Sequence, residues 1–171
     1  MSEINKAVLY EQFNTRELQA EEVISKYFTI ESIKESLFSF IAWLKENGAS
    51  PVYADFEGQS PFWEITQNNK SCYIVLNGTD NVCIMMNIAF SDEYQAVMRE
   101  NNMQDVILNN LQYCSRKDGS HCSNCHLPPD VAGVDNVIFG KEISNLCCGQ
   151  FISFSNPDSE TVEGIKKLLE L

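Results

Sequence analysis

Five of the seven cysteines of this chain, Cys114, Cys122, Cys125, Cys147 and Cys148, fall within thirty-five residues, and both of its histidines, His121 and His126, flank the Cys122-X2-Cys125 step. Thiolates two residues apart face one point about 2.3 Å from each sulfur, and thiolates from elsewhere in the chain complete a tetrahedron. The simplest set is Cys114, Cys122, Cys125 and either Cys147 or Cys148, with His121 and His126 as substitutes, around one structural zinc ion. An iron–sulfur cluster, a thiol redox pair at Cys122 and Cys125, and unligated thiols are the alternatives. Four thiolates leave no open position, so such a site stabilises without catalysing. With only three protein ligands a water would complete the shell, and zinc-dependent hydrolysis using His121 or His126 becomes the third class. Cys122-Ser-Asn-Cys125-His126 also matches the c-type haem attachment pattern, which the expected absence of an export signal disfavours. Adjacent Cys147 and Cys148 would face opposite sides of a strand, one as ligand and the other as core. Cys72 and Cys83 sit in apolar runs and read as small buried hydrophobes.

A second group is aromatic. Tyr53, Phe56, Trp63 and Tyr73, with Phe62 among them and Glu64 beside them, crowd the first part of a β-rich stretch. Such surfaces line sites for planar or cationic ligands, although a filled core with acids on its wet face gives the same pattern. Glu17, Glu21, Glu22, Glu31 and Glu35 read as a solvated helix face. No Ser/His/Asp signature, nucleotide-binding glycine loop or His-Glu-X-X-His helix is present, so enzymatic function is the weaker expectation.

Those residues need a scaffold, and 171 residues suffice for one domain that buries about 70% of its unfolded surface without staples. Twelve Lys and Arg against 24 Asp and Glu give a net charge of −12, the wrong sign for nucleic-acid phosphates or anionic lipid. No spanning apolar run and no basic, apolar leader at Met1–Lys6 are seen, so a cytoplasmic location is expected, where clustered cysteines act as ligands or redox groups. The partner is then a small molecule or a protein, with neither nucleic acid nor membrane.

Residues 1–14 read as an arm, and Thr15–Phe28 as a helix. A stronger helix starts from Thr29 as N-cap, carries Ile30, Ile33, Leu37, Phe40, Ile41 and Leu44 at three- and four-residue steps, and ends at Gly48. Val52–Asp55, Phe62–Gln67, Ser71–Leu76 and Val82–Ile88 read as antiparallel strands, joined by positive-φ turns at Asn68-Asn69 and Asn77-Gly78. Ser91–Asn101 and a short segment around Val106–Leu111 read as helices. Gln112–Asp135 is a cysteine-rich loop whose length calls for an external constraint. Val137–Phe139 and Gln150–Phe154 read as strands, and Asn156-Pro157 opens a last helix with Val162, Ile165, Leu168 and Leu169 inward. The expected fold is a single α+β domain, an antiparallel meander of about five or six strands with helices mainly on one face, its 114–125 loop clipped by zinc to a 147–148 strand.

Trp43-Leu44 closing the second helix, Phe62-Trp63-Glu64-Ile65 leading into Lys70-Ser71-Cys72-Tyr73-Ile74, and the helix Asp158–Leu169 resemble a family of small bacterial cytosolic proteins catalogued only as a domain of unknown function. The resemblance covers residues 15–170. It extends through Phe139-Gly140-Lys141-Glu142, Asn145-Leu146-Cys147 and Phe154-Ser155-Asn156-Pro157-Asp158, with cysteines upstream. It implies a meander packed under helices and a cysteine-rich carboxyl-terminal part, and it carries over no activity. Cys148 and the long loop depart from the pattern.

Overall fold

Alternation along the central strands settles which side of the sheet is covered. In the computed structural model, residues 18–54, 60–114, 132–147 and 150–171 are described. Strands β1 (Val52–Ala54), β2 (Phe62–Gln67), β3 (Lys70–Leu76), β4 (Val82–Asn87) and β7 (Phe151–Ser155) form one antiparallel sheet in the order β1-β2-β3-β4-β7. Trp63 pairs with Ile74, Ile65 with Cys72, Ile74 with Ile84 and Leu76 with Val82, and these side chains are fully buried. Their neighbours Glu64, Thr66, Tyr73 and Val75 are exposed or half-exposed. One face is therefore dry and the other meets water, as an antiparallel sheet permits.

Helices supply the cover. Ala20–Tyr27 (α1) and Ser159–Glu170 (α5) both pack on Glu31–Glu46 (α2), burying Val23 and Ile24, Leu37, Phe40, Ile41 and Leu44, and Val162, Ile165, Leu168 and Leu169. Each large aliphatic side chain taken from water contributes about 1.5–3 kcal/mol. Lys166, mostly buried on α5, donates to Ser39 Oγ at 3.0 Å on α2 and to Glu163 Oε1 at 2.6 Å. Asn68 and Lys70 both donate to the Leu169 carbonyl, at 3.0 and 3.3 Å, so the β2–β3 hairpin also holds the end of α5. The α+β expectation is met, with an antiparallel sheet under helices.

The chain divides into two compact units among the described residues, 18–86 with 153–171, and 87–152. The first contains most of the sheet just described. The second holds α3 (Asp92–Glu100), α4 (Gln104–Asn109) and the antiparallel hairpin β5 (Val134–Ile138) and β6 (Lys141–Leu146).

Several boundaries differ from expectation for local reasons. Asn68 and Asn69 are left-handed (φ 50° and 61°), matching the two-residue hairpin turn expected of them. The next connection closes differently: Asn77 is not left-handed, and its N–H donates to the Asn81 carbonyl at 2.9 Å. Thr29 is not the cap of α2. Ile30 holds that position without a side-chain bond, while the Thr29 hydroxyl donates to the Thr79 carbonyl at 3.0 Å. Asn156 does not cap α5 either, because its Oδ1 accepts from Val82 N–H at 3.0 Å and its Nδ2 donates to Asp80. Asp158 is the cap, accepting from Thr161 N–H at 2.8 Å. The expected loop 112–135 overlaps β5 at Val134 and Asp135, and the strand expected at 147–148 is found earlier, as β6 over 141–146, with Cys147 just past its end and Cys148 outside the described residues. The proposed arm at 1–14 lies outside the described residues.

Hydrogen bonding from Thr161, backbone first, holds the Asp158 carboxyl below the ordinary carboxylate range. Because the folded value is depressed, the stabilisation is present above the unfolded value near about 4 and is lost as pH falls through the folded one. Asp158→Ala is expected to cost about 1 kcal/mol at neutral pH. The gap between variant and parent in urea unfolding should close in acid; a gap that persists unchanged below about pH 3 would contradict this role.

Candidate metal centre

Cys114 and Cys147 stand 33 positions apart in sequence and are brought onto two paired backbone segments. Tyr113 bridges Leu146 in antiparallel fashion. Cys114 N–H donates to the Asn145 carbonyl at 2.7 Å, and Cys147 N–H donates to the Gln112 carbonyl at 2.8 Å. The cysteines are thus diagonal neighbours across the pair, a relation that places Cα atoms about 7–8 Å apart. A disulfide would need the backbone to close in from that separation. Two thiolates on one tetrahedral zinc have sulfurs about 3.8 Å apart, from Zn–S bonds of about 2.3 Å, a span that does not require the Cα atoms to approach as a disulfide does. Cys114 is buried and Cys147 half-buried, and neither is in a disulfide.

A buried carboxamide fixes this junction. Gln150, 4% exposed, accepts from Gln112 N–H at 3.0 Å and donates to the Gln112 carbonyl at 2.5 Å and the Cys147 carbonyl at 2.9 Å. Gln112 in turn donates its own Nε2 to the Phe151 carbonyl at 3.1 Å. Two backbone groups that the pairing leaves open, Gln112 N–H and the Cys147 carbonyl, are satisfied by one side chain, as buried polar groups require, and the Gln112 carbonyl gains a second donor beside Cys147 N–H. Nothing in the sequence set Gln150 apart from an ordinary polar residue. Asn145, which is left-handed (φ 62°), carried a weak signal, since Asn is among the few non-glycine residues that adopt that conformation.

Cys122, Cys125, His121, His126 and Cys148 lie outside the described residues. Among the described residues no three His, Cys, Asp or Glu side chains converge as a cation site. The chemistry of the two described donors suits zinc, because both are uncrosslinked thiols beside satisfied backbone.

The other cysteines behave as core. Cys72 is fully buried, and desolvation pushes its thiol up to about 12, so it is neither a thiolate nucleophile nor a ligand at neutral pH. Cys83 is also buried, its sulfur 3.4 Å from both Asn77 Nδ2 and Ser155 Oγ.

The aromatic group divides between the two faces of the sheet. Tyr53 pairs with Trp63, their rings edge-on at 5.8 Å. Trp63 is fully buried, its indole N–H donating to the Leu18 carbonyl at 2.6 Å. Glu64 and Tyr73 pair on the opposite face, where the Tyr73 hydroxyl lies 3.5 Å from Glu64 Oε1 and the Tyr73 ring meets Phe62 edge-on at 6.2 Å. Desolvation first, then the Glu64 charge, raises the Tyr73 phenol above its ordinary value. Phe56 lies outside the described residues. Of the acids read as a solvated helix face, Glu21 pairs with Lys45 and Glu31 with Lys34, while Glu17 is outside the described residues.

A cleft of about 690 Å³ in the second unit had no counterpart in the sequence reading; Phe90, Gln95, Asp135, Val137 and Glu142 are among its lining residues. No described helix is long and apolar enough to cross a membrane. No known protein family, curated protein or solved structure matches the chain.

Proposed function

We propose that the protein is a cytoplasmic binding or regulatory module of the small bacterial kind its motifs resemble, with a cysteine-rich segment held by one structural zinc ion. The ligands are Cys114, Cys122, Cys125 and one of Cys147 and Cys148, His121 or His126 replacing a cysteine that points away. The observation that carries this reading is the backbone pairing that sets Cys114 and Cys147 diagonally across from each other, at the two sides of the stretch that contains the Cys-X2-Cys step. Their spacing favours a shared ion over a disulfide, and a complete thiolate shell gives the metal a structural task. The partner, a small molecule or a protein, meets the sheet at its aromatic end, where Glu64 and Tyr73 stand on the face opposite the helices, with Tyr53, Phe56 and Trp63 the other members of the group.

Elemental analysis of freshly purified, untagged protein, with a count of reactive thiols before and after chelation, tests the metal. About one zinc per chain is expected, with the cluster thiols protected until the chelator is added. Cys72 should stay silent in the folded protein either way. No metal, together with cluster thiols that react at once, would remove the central claim.

A further inference from the structure

Cys114 is gripped at both of its backbone polar groups by a single residue. Its N–H donates to the Asn145 carbonyl at 2.7 Å, and its own carbonyl accepts from Asn145 Nδ2 at 3.0 Å. Asn145 is itself pinned, its N–H donating to Asp135 Oδ1 at 2.9 Å while its backbone holds φ 62°. The other half of the carboxamide does no comparable work, since among the described residues the buried Asn145 Oδ1 finds no hydrogen-bond partner. A buried acceptor without a donor works against stability, so the residue's contribution lies in what Nδ2 and the left-handed backbone do for Cys114.

Gly133 completes the arrangement. A Cβ added there would lie 2.5 Å from Asn145 Oδ1 and 3.3 Å from Cys114 Cβ, and the backbone is left-handed at φ 80°. Only a residue without a side chain lets the carboxamide and the cysteine share that space.

We propose that Asn145 is a positioning residue for the Cys114 thiol, with Gly133 as the gap into which the pair fits. The consequence for metal rests on the zinc reading above, whereas the hold on Cys114 does not. A group that orients a metal ligand without touching the ion is worth about 10–100-fold in affinity when removed. The same hold limits how readily the thiol swings out to meet a reagent in the metal-free protein.

Asn145→Gly keeps the left-handed backbone and deletes Nδ2; Asn145→Asp keeps the shape and replaces the donor with an acceptor. Both variants, treated with chelator, are alkylated with iodoacetamide, and Cys114 is followed by peptide mass mapping. Cys114 is expected to react at least about tenfold faster than in the parent. Two internal controls separate this from general loosening. Cys72 should remain unmodified, and amide exchange at Phe139, whose N–H donates to Gln95 Oε1 in the same unit, should be unchanged. Unaltered Cys114 reactivity in both variants overturns the proposal, and acceleration shared by Cys72 or Phe139 overturns it equally. If the parent holds zinc, competition with a chromophoric chelator should show the variants binding about 10–100-fold more weakly, and parent-like affinity would again overturn it. If the parent holds no zinc, the zinc reading fails while the alkylation result still decides the role of Asn145.

Discussion

Cys125→Ser protein, or parent protein stripped by a strong chelator, is expected to acquire new protease cleavage sites between residues 112 and 148 while the 52–88 strands stay resistant. A tetrahedral thiolate site in a small zinc peptide is worth about 10–16 kcal/mol at neutral pH, comparable to the total stability of about 5–15 kcal/mol of an ordinary domain. Here that energy would be spent locally. The strands from Val52 to Asn87 have their own buried face, with Trp63, Ile65, Cys72, Ile74, Leu76, Val82 and Ile84 fully or almost fully covered, and no cysteine of the cluster lies on them. Limited proteolysis with mass mapping distinguishes the outcomes. If the variant is cut nowhere new in that interval, the segment does not depend on metal; if the 52–88 region is cut at the same rate, the metal supports more than its own loop.

Trp63→Ala is expected to lower stability by about 3–5 kcal/mol, the largest effect of any single core truncation in the sheet. Trp63 is the largest fully buried side chain, faces the helices from β2 and is stacked edge-on with Tyr53. Its indole N–H also satisfies the Leu18 carbonyl at the entrance to α1. Truncation therefore leaves both a cavity and an unpaired carbonyl, two costs that add. Trp63→Phe separates them: most of the packing remains, and the loss of the hydrogen bond alone should cost about 1–3 kcal/mol. Urea midpoints with unchanged slopes would report both values. A Trp63→Ala midpoint within about 1 kcal/mol of the parent would mean that the sheet face is far more adaptable than its burial implies.

The elements legible in the sequence were those with an uninterrupted period. Leu37, Phe40, Ile41 and Leu44 recur at helical steps, and β2 from Trp63 and β3 from Ser71 alternate between buried and more exposed residues, so their residues fell where expected. β6 was expected at 147–148 and not over 141–146, because its apolar residues Ile143 and Leu146 are three apart. The pairing register with β5 shifts between Val134 and Asn136, and Asn145 is left-handed, so the period-two signal is broken at the irregularity that also places Cys114 opposite Asn145. The starts of α2 and α5 were misplaced by one or two residues, because Thr29 and Asn156 have cap chemistry but spend it on Thr79, Val82 and Asp80, and α1, expected from Thr15, begins at Ala20. Of the candidate site, the cysteine types and spacing were legible. The Gln150 and Asn145 carboxamides that hold Cys147 and Cys114 were not, since a polar residue becomes informative only when burial and partners are known.

Gln95 bears on how the molecule behaves in a crowded cell. A two-stranded hairpin such as β5–β6 has two outer rims that offer hydrogen-bonding groups to any passing extended chain. The Gln95 carboxamide donates to the Val137 carbonyl at 3.0 Å and accepts from Phe139 N–H at 2.6 Å, the pair of bonds that an added parallel strand would make there. It is buried and also donates to the Phe90 carbonyl at 2.9 Å, so it is committed to that post. One side chain from α3 thus impersonates a missing neighbour and closes that stretch of rim to strangers, beside half-exposed Val134 and Val137 that would otherwise invite stacking into aggregates.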